Sequence, residues 1–164
     1  MSVYTKTGDN GQTGLYTGER VDKCSRRVKT YGLIDEGGST LGLARAFCQT
    51  TDVKEKIYQV QKKLPLLMAD LASLNRDALI MPEHIAALER EMDEMENALP
   101  PLREFLIPGN TPGGAFLDLS RTTFRRAECS LTELAQTEKV HETDRIFLNR
   151  LSDYVFLLMR WEER

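Results

Sequence analysis

Two arginines and a glutamate lie at helical spacing in the segment Arg121-Thr-Thr-Phe-Arg-Arg-Ala-Glu128. With about 100° of rotation per residue, Arg121, Arg125 and Glu128 share one stripe of a helix, whereas Arg126 points away from it. Two guanidinium groups one turn apart repel each other unless an anion lies between them, and their planar forks fit phosphate or carboxylate. The stripe therefore indicates either a local anion site or an ordinary solvated face.

A second set of phosphate-compatible groups lies near the N-terminus, where residues 4–18 contain four glycines and four threonines. Gly8, Gly11 and Gly14 permit positive φ and a close approach of backbone N–H groups to a ligand. Lys6 and the threonine hydroxyls add further donors. The segment suits a polyphosphate, but a glycine-rich arm folded into turns explains the composition as well. It lacks the GxxxxGK[ST] pattern of a Walker A loop.

The composition describes one soluble globular domain. The chain has 164 residues, of which 41% are hydrophobic and 29% charged, enough to bury a core. A net charge of −3 disfavours general nucleic-acid binding, which needs a large positive field. Three cysteines without a CxxC pair argue against a disulfide framework and a zinc site. No apolar run reaches the roughly 18 residues of a membrane span, and we expect a cytoplasmic protein.

Apolar periodicity predicts five helices, at about residues 25–48, 52–76, 82–98, 114–136 and 142–162. Ser25 is the expected N-cap of the first. The second carries a bundle-type repeat that should form core, with Val53, Ile57, Val60, Leu64, Leu67, Leu71 and Leu74. Pro65 should kink that helix. We predict an all-α domain, with a glycine-rich arm over residues 1–24 and a five-helix up-and-down bundle over residues 25–162.

The first predicted helix carries a carboxylate among small residues, because Asp35 shares a stripe with Tyr31, Gly38, Ser39 and Gly42. Small residues let another helix or another subunit approach closely. Asp35 would need a cationic partner if buried, whereas the neighbouring Glu36 points elsewhere and is expected to be solvated.

The long segment between helices three and four, residues 99–114, is rich in proline and glycine and is predicted to be a loop. Phe105, Leu106 and Ile107 form an apolar patch within it. The patch either folds back onto the bundle or forms part of a binding surface.

The sequence contains no Ser-His-Asp set, HExxH motif or paired-cysteine site. Its chemistry therefore lacks an obvious protein nucleophile or base. The donors that remain suit a nucleotide site in which the protein positions the ligand and neutralises charge. A structural bundle, with arginines paired to Asp35 and Glu128, fits these features equally well.

Five stretches in order along the chain resemble the PduO-type ATP:cob(I)alamin adenosyltransferases. They are Tyr4-Thr-Lys-Thr-Gly-Asp9 with Gly11 and Thr13, Tyr31-Gly-Leu-Ile-Asp-Glu36 with Ser39 and Leu41-Gly42, Phe105-Leu-Ile-Pro-Gly109, Arg121–Glu128 and Phe147-Leu-Asn-Arg-Leu-Ser-Asp-Tyr154. The resemblance implies a homotrimer with active sites between subunits. It implies transfer of the 5′-deoxyadenosyl group of ATP to Co(I) of a corrinoid, giving adenosylcobalamin and triphosphate, with Mg²⁺ accompanying ATP.

The resemblance also implies roles for individual residues. One subunit would line the nucleotide with arm residues: Thr5, Lys6, Thr7, Gly8, Asp9, Gly11, Thr13, Gly14 and Lys23. Its neighbour would complete the site with Arg125, Arg126, Glu128 and Asn149. Arg121 would contact ATP and pair with Asp35 across the interface. Phe105 would face the corrin and help to exclude its lower axial base. Neither the resemblance nor the sequence identifies Mg²⁺ ligands.

The sequence departs from the family pattern at a few places. Cys129 replaces a usual arginine, Gly37-Gly38 replaces a usual Leu-Asn, and the sequence ends at Arg164, where many members continue. These departures keep open an alternative, an ATP-binding trimer that serves as a corrinoid escort or regulator without efficient transfer. A cobalamin reductase and an adenosylcobalamin-dependent enzyme are the expected protein partners.

Overall fold

The computed structural model describes Tyr4 and residues 6–164. Five helices account for most of them: α1 (Arg26–Phe47), α2 (Thr51–Leu71), α3 (Pro82–Ala98), α4 (Pro112–Leu134) and α5 (Glu142–Glu162). Contacts between α1 and α4, and between α4 and α5, place α4 in the middle of the bundle. Each of the five predicted helices is present. Helices α3 and α5 have the predicted ends, α1 differs by one residue at each end, and α2 and α4 differ by more.

Side chains of nearby residues cap the N-termini of α1 and α4, which carry Asp35 and the arginine stripe. Ser25 precedes α1, and its hydroxyl accepts a hydrogen bond from the Val28 N–H, so the predicted N-cap is confirmed. Thr111 has the same role for α4, where it accepts from the Gly114 N–H at 2.9 Å. Pro112 follows at the first helical position, where its missing N–H costs nothing. Helix α4 therefore runs from Pro112 to Leu134, two residues earlier at each end than predicted.

The apolar repeat predicted for α2 contributes to the core, together with one side of α3. On α2 the buried members are Val53, Ile57, Val60, Leu64, Leu67 and Leu71, and on α3 they are Ile85, Leu88 and Met95. Fully burying side chains of this size contributes about 1.5–3 kcal/mol each. Helix α2 continues through Pro65, which is exposed on its outer side. The core thus follows the sequence pattern closely.

Helix α2 ends at Leu71, earlier than the predicted residue 76, because its last turn is capped by tertiary contacts. The buried Asp70 carboxylate accepts hydrogen bonds from the backbone N–H groups of Leu79 and Ile80, at 2.8 and 2.9 Å respectively. Asn75 takes a φ of +55° between them. These contacts turn the chain back over the helix end, and apolar periodicity alone does not reveal them.

Glycines in the middle of α1 allow close packing on both sides. Gly37 is buried under the Phe124 ring of α4, and a Cβ added there would lie 2.5 Å from Phe124 Cε1. Gly38 and Gly42 face α2, where the Gln61 side chain donates to the Gly38 carbonyl at 3.2 Å. The expectation that small residues let another helix approach is confirmed, and at Gly38 and Gly42 that helix is α2.

We expect Gly37→Ala to destabilise the protein by about 1–2 kcal/mol, because overpacking against Phe124 outweighs the gain in helix propensity. Gly42→Ala is the matched control, since a Cβ there would meet Gln61 Nε2 at an ordinary 3.5 Å. The control should be neutral or slightly stabilising. Urea unfolding of both variants measures the difference, and equal free energies of unfolding would contradict this account of the α1–α4 contact.

The prediction that the N-terminal segment is not a helix is confirmed. The segment contains a short hairpin that the sequence pattern did not indicate. Strands β1 (Gln12–Gly14) and β2 (Arg20–Asp22) pair antiparallel, with Thr13 opposite Val21. The turn between them has Gly18 at φ +99°. The Tyr16 N–H donates to the Ala72 carbonyl at 2.7 Å, so the hairpin is tied to the end of α2.

Among the helices of the described residues, none combines the length and the apolar character needed to cross a membrane.

Candidate functional site

The arginine stripe of α4 lies on the surface of the bundle. Arg121 is partly buried, with 27% of its side chain exposed, and its Nε donates to Asp118 Oδ1 at 2.8 Å. Arg125, one turn later, is exposed and forms no ion pair within the described chain. Asp118 was not among the predicted site residues, although its i, i+3 spacing from Arg121 is a signal that the sequence contains. Asp118 therefore holds the Arg121 guanidinium in place, while the Arg125 guanidinium remains available to bind an anion.

Glu128 and Asn149 connect α4 to α5. The Asn149 amide donates to Glu128 Oε1 at 3.3 Å and accepts from Arg150 at 3.0 Å, so both ends of the amide are oriented. A cavity of about 280 Å³ opens beside this pair, with Arg145 on its wall. The structure therefore brings together two of the predicted site residues that are 21 positions apart.

Arg126 points away from the stripe, as its position in the helix predicted. Its guanidinium pairs with Glu36 Oε1 of α1 at 2.8 Å. Glu36 is exposed, as expected, but it is a partner of Arg126 and not simply solvated. Arg125, Arg126 and Cys129 line a shallow depression on the outer face of α4.

Asp35 is exposed on α1 and makes no hydrogen bond or ion pair within the part of the chain that the structure describes. Exposed apolar side chains lie further along the same helix, at Leu43 and Phe47, and on α4 at Leu119. The rings of Phe47 and Phe116 are in contact, with centroids 5.2 Å apart. Helix α1 thus carries both an exposed carboxylate and, further along, exposed apolar side chains.

The predicted arm residues form a separate group. Lys23 lies against Gly8, where a Cβ would come within 2.9 Å of the Lys23 ammonium nitrogen, and the Lys23 N–H donates to the Gly11 carbonyl at 2.8 Å. Gly11 has a φ of +83°. Exposed members of the group are Lys6, Thr7, Asp9, Gly11, Gly14 and Lys23, and the half-buried ones are Gly8 and Thr13. Thr5 lies outside the described residues.

Arg20 stabilises the arm and was not predicted. Its guanidinium donates to the carbonyls of Thr7, at 2.7 Å, and Gln12, at 3.3 Å. These contacts bridge the two sides of the glycine-rich segment. Neither strand packs extensively on α4 in the described ranges. Within one chain, the arm's hydrogen bonds described above join residues 7–23 to one another and to the end of α2, and none of them reaches the α4–α5 residues.

Phe105 is 92% exposed and Ile107 is 83% exposed, in a loop whose residues from Pro100 to Asn110 are all exposed. Phe105 and Ile107 do not fold back onto the bundle, whereas Leu106 is only 36% exposed and lines a cavity beside the end of α5. An exposed group of large apolar side chains, held between prolines, is typical of a binding surface.

Away from these clusters, Asp70 and Asp144 form a buried pair of carboxyl groups at the ends of α2 and α5. Asp144 is 0% exposed. Burial, followed by the nearby carboxylate of Asp70, raises the pKa of Asp144 to about 8. Asp70 accepts two backbone N–H groups, so the proton resides on Asp144. The titratable groups that line the cavity beside this pair are Arg27, Arg76, Glu138, Lys139 and His141.

We expect the free energy of unfolding to fall by roughly 2 kcal/mol between pH 6 and pH 8 on account of Asp144. The folded state holds this proton up to a pKa of about 8, whereas the unfolded carboxyl releases it near pH 4. Stability is therefore lost as pH rises towards 8. Asp144→Asn keeps a donor towards Asp70 without a titrating proton, so it should flatten the profile. Urea unfolding at both pH values tests this, and parallel profiles would contradict it.

Comparisons with known proteins cover nearly the whole chain. A family model described as cobalamin adenosyltransferase matches residues 3–162. A corrinoid adenosyltransferase of Citrobacter freundii is 39% identical, with the alignment covering 98% of this chain and 94% of the relative. A corrinoid adenosyltransferase from Bacillus subtilis is 40% identical, and the alignment covers 98% of this chain and 86% of that relative.

Solved structures agree with the observed fold. A variant of the PduO-type ATP:corrinoid adenosyltransferase from Lactobacillus reuteri, complexed with cobalamin and ATP, superposes with a TM-score of 0.93 at 30% identity and covers 99% of this chain and 91% of that one. Another variant of that enzyme, complexed with ATP, gives a TM-score of 0.92 at 30% identity, with 98% and 94% covered. The predicted all-α, five-helix fold is confirmed.

Proposed function

The chain belongs to the cobalamin adenosyltransferase family, and we propose that its active site is completed between copies of the chain in a homotrimer. The protein is a corrinoid adenosyltransferase with ATP as co-substrate. The proposal concerns how this chain's residues perform that reaction. Its strongest support is the separation, within one chain, of the arm residues from the α4–α5 residues.

The reaction needs little covalent chemistry from the protein. The electron pair of Co(I) attacks C5′ of ATP, a Co–C bond forms, and the C5′–O bond breaks so that triphosphate leaves with its electron pair. No proton has to be removed, which agrees with the absence of an evident catalytic base. What the site must supply is orientation and compensation of the charge that develops on the leaving triphosphate.

We assign charge compensation to Arg121, Arg125 and Lys23. Arg125 has no partner within the described chain, and its planar fork suits phosphate oxygens. Glu128 and Asn149 would orient the nucleoside, since their mutual hydrogen bond presets both side chains. Arg126 is the less direct candidate, because it already pairs with Glu36.

The arm of a neighbouring subunit would cover the nucleotide from the other side. Thr5, Lys6, Thr7, Gly8, Asp9, Gly11, Thr13 and Gly14 belong to that arm, and the Lys23 ammonium beside Gly8 brings positive charge to it. Mg²⁺ accompanying ATP is expected to be bound mainly by phosphate oxygens and water.

The subunit interface would use the surface that α1 and α4 share. Leu43, Phe47 and Leu119 are each close to half exposed there, and exposed apolar surface of this kind favours association. Asp35 would pair with Arg121 of a neighbouring subunit, replacing or sharing its contact with Asp118. Such a pair would couple assembly to the positioning of ATP.

Subunit mixing tests the shared site. Lys23→Ala and Arg125→Ala should each reduce the formation of adenosylcobalamin, followed by visible absorbance with ATP and Co(I)alamin. Mixed trimers of the two variants contain sites with an intact arm and an intact α4, so activity should be partly restored. Native mass spectrometry confirms mixing. Mixed trimers without any gain, or an active monomer, would refute the shared site, while an inactive wild-type protein would favour the binding-only alternative.

A further inference from the structure

The loop that carries Phe105 is attached to the bundle at its two ends, by Arg160 in the last turn of α5 and by Glu163, the residue that follows α5. At the first end, Arg160 Nη2 donates to the Pro100 carbonyl. At the second end, the Glu163 carboxylate accepts from the N–H groups of Gly109 and Thr111, both at 3.2 Å, and from the Asn110 amide at 3.4 Å.

Between these attachments the loop has little other support. In the described chain, residues 101–108 form no hydrogen bond or ion pair with the bundle. A cavity of about 370 Å³ separates the inner side of the loop from α5, with Arg103, Leu106 and Arg164 among its lining residues. The position of the loop is therefore determined mainly by what holds its ends.

The carboxylate of Glu163 fits its place closely. Gly114, in the first turn of α4, is buried beneath it, and a Cβ at Gly114 would lie 2.1 Å from Glu163 Oε1. Gly109 has a φ of +110°, which turns the loop so that its N–H meets the carboxylate. Three donors, one acceptor and a glycine that leaves room for it indicate a specific contact.

We propose that Arg160 and Glu163 are positioning residues that hold the Phe105 loop in the orientation needed to receive the corrinoid. They would act through the loop and would not touch either substrate. Because the nucleotide residues lie on α4, α5 and the arm, the role should affect the corrinoid and leave ATP binding unchanged. This role rests on the proposed function and on the contact between Phe105 and the corrin that the family resemblance implies.

The test compares four variants by steady-state kinetics with ATP and Co(I)alamin. Glu163→Ala removes the acceptor, and Gly114→Ala displaces it without changing Glu163. Both should raise the KM for the corrinoid roughly tenfold and leave the KM for ATP within about twofold. Glu163→Gln keeps one acceptor oxygen and should largely restore the wild-type value. Glu96→Ala is the charge-matched control, since Glu96 is exposed on α3 and has no partner in the described chain.

Hydrogen exchange provides a second readout that does not depend on turnover. In Glu163→Ala the amides of Gly109 and Thr111 should exchange faster, while those of α4 stay protected. An unchanged corrinoid KM in an active enzyme would overturn the proposal, as would equal rises in both KM values with a lower kcat, which indicate general disruption. If the wild-type protein made no product, the proposed function would fail, and the exchange data would still decide whether Glu163 holds the loop.

Discussion

Replacement of Arg121 by alanine is expected to eliminate the rise in Tm that ATP gives the wild-type protein. A ligand at 100 times its Kd stabilises the folded state by about 2.7 kcal/mol, which is several degrees for a chain of this size. Arg121 is the one arginine of the stripe already held in position, by its 2.8 Å contact with Asp118. Its loss removes an oriented, permanently charged partner for the triphosphate and, in the proposed trimer, the partner of Asp35.

The measurement is a thermal shift with and without ATP, because the difference cancels the cost of leaving Asp118 unpaired. Arg121→Lys should recover only part of the effect, since an ammonium lacks the planar fork. Arg90→Ala is the control for charge, as Arg90 is exposed on α3 without a partner in the described chain. An ATP shift in Arg121→Ala equal to that of the wild type would show that the nucleotide does not bind at this stripe.

Phe105→Ala is expected to slow adenosylation that starts from Co(II)alamin by at least about tenfold more than adenosylation of chemically reduced Co(I)alamin. A ring that is 92% exposed contributes little to the stability of the fold, so its loss should act on the corrinoid. If the aromatic face displaces the lower axial base, its removal leaves the base bound to Co(II) and makes reduction harder. Attack by Co(I), which already lacks that ligand, should be affected less.

Ile107→Ala is the matched control, because Ile107 is 83% exposed in the same loop and loses a similar apolar surface. The two starting states should respond equally to that change. Absorbance spectra of bound Co(II)alamin measure the fraction without its axial base directly. Equal slowing of both reactions in Phe105→Ala, with an unchanged spectrum, would assign Phe105 to general corrin contact only.

The helices and the core could be read from the sequence because they depend on local regularities. The repeat from Val53 to Leu71 specifies which side of α2 is buried, and Ser25 specifies where α1 begins. Likewise, Arg126 lies off the arginine stripe because helix geometry places it there, whatever the rest of the chain does. The end of α2 was misplaced because the Asp70 carboxylate binds the N–H groups of Leu79 and Ile80, beyond the helix. The start of α4 was misplaced although its cap, Thr111, is local.

From the sequence, the candidate site could be predicted only in two ways: from the residue types that share a helix face, and from the family resemblance. The resemblance named Glu128 and Asn149 together, but their hydrogen bond and the cavity beside them depend on how α4 packs on α5. Asp118 was overlooked although it is a local neighbour of Arg121. Arg20, by contrast, contacts Thr7 and Gln12 through a hairpin that the pattern did not predict.

The sequence by itself determined the five helices, their buried faces, the surface position of the α4 arginines and the family. The tertiary structure decided which groups meet: Gly37 with Phe124, Asp70 with Asp144, and Glu163 with the loop before α4. The physical reason is the separation along the chain of the residues that interact. Helix periodicity and capping involve residues within one or two turns, whereas these contacts join positions far apart in the chain and exist only once helix packing has set distances to within a few tenths of an ångström.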